Sequence, residues 1–404
     1  MLTAAAVILV TVITIILLFS PKIRKSRICQ ATVTPLASII GSGFLVVAPL
    51  LTHNFGDYAV WAMITIILVA YWGGNAVRFN IRYLEPLFAH ISPPRLLIHT
   101  ESLSRLVLAF AYVISVSFYL QLLSAFLLRG VDIHDGIVLK SVTTVFLVVI
   151  ALFGGLRGMH MLELLEDYAV SIKLSIIAGL FAGLAIFNFD NQVTASATIQ
   201  AIDQNITFKN IQALMGMLLI VQGFETSRFL GDEYDANTRI KTMRYAQLLA
   251  GLIYILFIAL ISPLAGLFDT LSETAIIDLS RHVSLVLPWL LIIAALMSQF
   301  SAAVADTVGG GGLFAEVSRY RYTNRTGYVL VIGLSLIITW TTDIFEVISL
   351  ASRAFALYYA FQSAEAFLVA LRRHKEKHRY LYLLSYSCLT ILMVAIVTLG
   401  IPTA

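Results

Sequence analysis

Two short runs carry residue types with which a chain could hold a small charged solute: Ser38-Ile39-Ile40-Gly41-Ser42-Gly43-Phe44 and Gln222-Gly223-Phe224-Glu225-Thr226-Ser227. Each lies inside an otherwise apolar stretch. Glycine leaves backbone groups accessible and interrupts a helix, and an interrupted helix turns free N–H groups toward an anion while its free carbonyls coordinate cations. That chemistry suits a carboxylate-bearing solute. Small residues also let membrane helices pack closely, which accounts for Gly41 and Gly43 without a ligand. Interruptions paired in corresponding helices carry more weight, because they mark the solute site between the repeats of a transporter.

Five ionisable side chains fall within apolar segments: Lys173, Glu225, Asp306, Arg353 and Glu365. At membrane depth each needs a partner or a wet cavity. For Arg353 and Glu365 an interhelical ion pair that only fixes packing explains the charge as well as a transport role does. Asp306 precedes the tract Gly309 to Gly312, and it is expected toward the cytoplasmic end of its helix, near an inner gate that the glycines would let hinge or pack closely. Ser298 and Ser301 stand one helical turn apart and can offer oxygens to a hard cation, with carbonyls near Ala37 and Ile40 completing a site. Serines in membrane helices also simply hydrogen-bond neighbouring backbone. Tyr112, Ser115 and Tyr119 lie near the middle of the fourth apolar segment; Tyr119 is a candidate for solute contact, although aromatic residues at helical spacing are usually packing. No His-rich metal cluster, nucleophile elbow or phosphate loop is visible in the sequence, so neither catalysis nor an organic cofactor is expected.

The elements that must position these residues are membrane helices. Of the 404 residues, 59% are hydrophobic and 12% charged, with a mean hydropathy of +0.89; a soluble domain carries about 25% charged residues. Apolar segments of roughly 20 residues, enough to cross a hydrocarbon layer of ~30 Å, recur from end to end. They predict twelve spans, near 2–20, 31–52, 58–83, 103–128, 137–155, 165–187, 208–230, 243–268, 284–313, 327–341, 344–371 and 380–400. The first lacks a basic start and a small-residue cleavage site, and reads as a true helix, not a signal peptide. With loops assigned alternately to two sides, one side receives 21 Lys and Arg residues and the other only Arg129, Lys140, Lys209 and Arg281. The rich side is expected to be cytoplasmic, which places both termini outside. Basic loops explain the pI near 9.0 without a nucleic-acid partner. Cys29 and Cys388 have neither metal-ligand nor disulfide-framework spacing.

Within this frame, Ile39-Ile40-Gly41-Ser42-Gly43-Phe44 followed by Pro49 resembles the first-helix motif of the amino acid-polyamine-organocation (APC) transporter superfamily. Gly223-Phe224-Glu225, continued by Leu230-Gly231-Asp232-Glu233 and then Thr238-Arg239, is similar to that superfamily's sixth helix and its acidic-basic cytoplasmic extension. The resemblance implies an all-α integral membrane protein with a five-plus-five inverted repeat, residues 31–190 and 208–371, whose first and sixth core helices are broken. One extra helix in 1–30 precedes it and one in 380–404 follows. It further implies that Ile40, Gly41, Ser42, Gly43, Phe44, Gln222, Gly223, Glu225 and Thr226 surround the solute with Tyr119, and that Phe224 gates it. Lys173-Leu174, followed by Gly179-Leu180 and Gly183-Leu184, resembles the lysine-bearing fifth helix of proton-coupled, sodium-independent permeases, whose ammonium stands where sodium sits elsewhere. Lys173 would then exchange a proton during transport or serve as a fixed surrogate cation. The run Ala295 to Ala302 instead resembles the sodium-site helix of sodium symporters, with Ala37, Ile40, Ser298 and Ser301 as the candidate sodium ligands.

Two departures keep alternatives open. The cytoplasmic extension has Ala236-Asn237 where the family usually has Asn-Pro, and the leading helix is reminiscent of sodium:solute symporters, which share the core fold. The expected function is alternating-access transport of an amino acid or related small organic solute, driven by H+ or Na+. The alternatives are a symporter-like carrier of another solute or inorganic ion, and a sensor that binds without turnover. Asymmetric paired breaks suit a carrier better than a channel, whose filter would repeat around an oligomer.

Overall fold

In the computed structural model, residues 2–41, 43–90, 93–156, 160–190, 206–268, 272–319, 321–373 and 377–402 are described, and all regular structure among them is helical. α1 (Leu2–Leu18) leads into the short α2 (Pro21–Arg24), whose first turn accepts Pro21 because that position needs no N–H donor. α3 (Arg27–Gly41) and α4 (Phe44–Phe55) are the two halves of one interrupted span. α5 (Ala59–Tyr83), α6 (Glu85–His90), α7 (Arg95–Gly130), α8 (Gly136–Leu156) and α9 (His160–Asp190) follow. The second interrupted span comprises α10 (Phe208–Gly216), a tight 3-10 turn over Leu218–Val221, and α11 (Thr226–Phe229). The chain then runs through α12 (Ala236–Ile261), α13 (Ala275–Val283), α14 (Leu287–Val317), α15 (Asn324–Thr341), α16 (Ile344–Arg372) and α17 (Arg379–Leu399).

Eight stretches among the described residues are long and apolar enough to cross a membrane. Helix starts are set by short polar side chains. Asp343 and Glu346 form a reciprocal capping box at α16, and Thr207 with Asn210 does the same at α10. Asp235 caps α12, and the hydroxyl and N–H of Thr238 hold its carboxyl below the usual carboxylate range.

Most expected spans end within a few residues of these helices, but three differences are informative. α7 begins at Arg95, well before the expected 103, because Glu101 and Arg105 are not loop residues; they pair with each other and with charges on neighbouring helices. The span expected near 208–230 is divided into short pieces around Gln222–Glu225. α13 was expected to be loop: it is short and carries Asp278, Arg281 and His282, so it reads as polar, yet it buries Ile276, Ile277 and Leu279.

The core is made by α7, which packs along α14 and α16, while α12 lies against α3 and α5. Outside it, α1 packs on α9. The fit depends on the small face of α9: a methyl group at Gly179 would stand 3.0 Å from the Val7 carbonyl, and one at Gly183 would overlap the Val7 side chain. At the other end of the chain α17 packs on α16.

Candidate functional site at the helix interruptions

The two interruptions meet in the middle of the bundle. Gly223 has φ +113°, and a methyl group there would stand 2.7 Å from the carbonyl carbon of Ser38. Only glycine serves at a left-handed position pressed against another backbone. At the first interruption, a methyl group on Gly43 would lie 3.4 Å from the Cα of Ile220.

Breaking α3 frees carbonyls at its C-terminal end, where the helix dipole is negative and favours a cation or a donor. Three helices supply them. Lys173 of α9 donates from Nζ to Ala37 O at 3.0 Å and to Ser298 Oγ at 3.2 Å. Tyr254 of α12 shares its hydroxyl proton between Ile220 O (2.7 Å) and Ile39 O (3.0 Å), so it joins both interruptions. Gln299 of α14 donates from Nε2 to Gly41 O at 3.1 Å. Lys173 is 5% exposed, Tyr254 is fully buried and Gln299 is 3% exposed; in such surroundings a polar group without a partner is costly.

On the other side, Glu225 accepts the Gly223 N–H (2.9 Å) and the Tyr359 hydroxyl (2.7 Å) on one oxygen, while its Oε1 is buried with no hydrogen-bond partner among the described residues. Gln222 donates from Nε2 to the Tyr119 hydroxyl at 2.9 Å. The Thr226 hydroxyl turns back to Gly223 O at 2.7 Å and fixes the local bend. Phe224 stacks on Tyr359 of α16 with ring centroids 4.9 Å apart. Asp306 accepts the Ser115 hydroxyl, and Tyr112 and Tyr119 lie in the fields of both Glu225 and Asp306.

Several expected residues are brought to the junction: Gly43 lies against Ile220 and Gly223 against Ser38, Gln222 bonds Tyr119, Glu225 bonds Tyr359, and Gln299 bonds the Gly41 carbonyl. Ala37 and Ser298, two of the four expected sodium ligands, hold the Lys173 ammonium; Ile40 is buried and Ser301 half-buried. Asp306 differs from expectation, because it faces Ser115 in the middle of α7 and not the inner gate. Phe44 also differs, since it stacks on Phe257 (4.3 Å) and meets the edge of Tyr254 (5.4 Å), packing the interruption against α12. Ser42 lies outside the described residues. The sequence reading missed Tyr254, Gln299 and Tyr359. Gln299 could have been found as an uncharged amide inside an apolar span; the two tyrosines look like any packing aromatic.

Ion pairs cross between helices at both ends of the bundle. At the end bearing α6, α11 and the start of α7, Arg228 grips both oxygens of Glu101 at 3.0 Å, Arg105 pairs with Glu101 and Glu316, and Arg239 pairs with Glu85 at 2.7 Å. At the opposite end Arg129 of α7 pairs with Asp278 of α13. Beside that pair is a polar cavity of about 290 Å³ lined by residues including His134, Asp135 and Glu273.

Known proteins share this architecture. A family model described as APC superfamily transporter matches residues 21–400. An uncharacterized protein of Aquifex aeolicus (strain VF5) is 42% identical over 386 residues, covering 94% of this chain and 93% of that one. Among solved structures, a manganese transporter of Eremococcus coleocola, in its H236A mutant, superposes with a TM-score of 0.61 at 13% identity over 93% of this chain and 87% of its own. The same transporter bound to an aromatic bis-isothiourea compound gives 0.56 at 11% identity over 93% and 88%. The structural likeness shows the fold alone, but the family match spans nearly the whole sequence, and the chain is a membrane transporter belonging to the APC superfamily.

Proposed function

We propose that the chain is a secondary active transporter that carries an amino acid or related small organic solute by alternating access, coupled through Lys173 to a proton gradient. One observation carries this reading: two interrupted helices meet in the middle of the bundle, where buried donors from α9, α12 and α14 take the carbonyls at the break. N–H groups at the interruptions suit the carboxylate of such a solute, and the Glu225 carboxylate, with one oxygen unpartnered among the described residues, suits its ammonium. The halves 31–190 and 208–371 are the repeats that would rock about this place. The end rich in basic loops would face the cytoplasm of a plasma or bacterial inner membrane.

Lys173 supplies the coupling. Its ammonium bonds Ala37 O and Ser298 Oγ, oxygens a sodium ion would need, so a bound sodium ion and this ammonium compete for one position. Loss of the proton would free these oxygens and loosen α9 from α3 and α14.

An inorganic cation is the second reading. Two carboxyl groups are buried within the bundle, Glu225 against Tyr359 and Asp306 against Ser115, and the structural neighbours are manganese transporters. Among the described residues, however, no group of three or more His, Cys, Asp or Glu side chains is gathered to hold a metal. Uptake of a labelled amino-acid panel and of manganese into proteoliposomes separates the two. Amino-acid uptake supports the first reading, and manganese uptake alone sinks it.

A further inference from the structure

Among the described residues, an ion-pair network at the end of the bundle that carries α6 and α11 joins Glu85, Glu101 and Glu316 to Arg105, Arg228 and Arg239, and Glu365 adjoins it through Gln362. Glu85, Glu101 and Glu316 each form an ion pair with arginine, whereas Glu365 of α16 is fully buried and forms none among the described residues. Its Oε2 accepts the Gln362 amide at 3.0 Å, and its Oε1 is buried with no hydrogen-bond partner among the described residues.

The arrangement of Gln362 is fixed from both sides. Its oxygen takes Arg228 at 2.9 Å and Asn80 at 3.0 Å, so its NH2 must face Glu365 and Ser104. Arg228 thus reaches the amide and Glu101 but is kept from Glu365. Glu101, on the facing helix α7, takes the other nitrogen of the same Arg228 whose first nitrogen lies on Gln362, so one arginine and one amide link the two carboxyl groups. The charged and titratable groups around it are Glu101 and Arg105 from α7, Arg228 from α11 and Tyr358 on its own helix. A buried carboxyl beside an ion pair whose arginine is already committed is far less costly when it is neutral.

We propose that Glu101 and Glu365 form a proton-binding site that holds one proton between them while this end of the bundle is closed. The proton sits on the free Glu365 oxygen, which becomes an O–H donor toward Glu101 and balances the four carboxyl groups against the three arginines. Arg228 belongs to α11, the far half of the second interrupted helix. When that half moves away, Arg228 leaves Glu101, water enters, and the O–H bond of Glu365 breaks to give its proton to a water molecule. The site stands apart from the solute site and from Lys173, so it holds or fails independently of the solute chosen above.

The test is infrared spectroscopy of the purified full chain at neutral pH, in H2O and in D2O, reading the carbonyl stretch of protonated carboxylic acids. Glu365→Gln should remove one carboxyl equivalent of that band. Glu101→Gln should remove it too, because three carboxylates then match three arginines and Glu365 ionises. Glu233→Gln, at an exposed loop position, should leave the band intact. A folded Glu365→Gln protein with the full wild-type band overturns the proposal. If that variant does not fold, Glu101→Gln decides alone, and an undiminished band there overturns it equally.

Discussion

Replacing Tyr254 by phenylalanine isolates the contact that joins the two interruptions. The hydroxyl bridges Ile220 O and Ile39 O, while the ring packs edge-on against Phe44 at 5.4 Å, so the substitution removes one oxygen and leaves the packing in place. Leaving a buried acceptor without its donor costs about 1–3 kcal/mol, and one proton shared by two carbonyls makes one net hydrogen bond. The cost should fall in the lower half of that range, about 1–2 kcal/mol. Unfolding of the purified protein in detergent, followed by near-ultraviolet circular dichroism, measures it. Tyr58→Phe, at an exposed tyrosine, is the control and should stay within about 0.5 kcal/mol of the parent. A Tyr254→Phe protein as stable as the control would refute the claim that this hydroxyl holds the interruptions together.

Three other outcomes are expected. Gly223→Ala should cost about 1–2 kcal/mol for forcing a side chain into a left-handed conformation and about 1–3 kcal/mol more for overlap with Ser38; the same unfolding assay reads it, and a neutral effect would mean the backbones are not in contact. Asp306→Asn should abolish uptake while leaving membrane expression unchanged, because the carboxylate that accepts the Ser115 hydroxyl lies between α7 and α14; preserved uptake removes Asp306 from the mechanism. Gln299→Leu should lower stability by about 1–3 kcal/mol by leaving Gly41 O without its cross-helix donor, and equal stability would show that this carbonyl finds water instead.

Much of the fold was legible in the sequence because membrane helices announce themselves by length and polarity. The Gly41 to Gly43 run marked the first interruption and Gly223 the second, and at Gly223 a positive φ and the close approach of the Ser38 backbone require glycine. What stayed hidden is what depends on partners far apart in the chain. Glu101 and Arg105 looked like the edge of a loop, yet Arg228, far along the sequence, draws Glu101 into the bundle. Tyr254, Tyr359 and Phe44 have the same composition as packing aromatics, and only the fold decides that two of them bond the interruptions while the third stacks on Phe257. Asp306 was placed correctly on its helix but at the wrong depth, because its partner Ser115 is fixed by the packing of α14 on α7.

The central claim, that this buried junction carries a solute with Lys173 as the coupling group, is tested most directly by one measurement. Uptake of a mixed amino-acid panel into proteoliposomes is followed with pH and sodium gradients imposed separately, for the parent chain and for Lys173→Met, which keeps an unbranched side chain without the charge. The account predicts accumulation that follows the pH gradient, ignores sodium and disappears in the variant. Strict sodium dependence, or pH-driven uptake that survives in Lys173→Met, would contradict it.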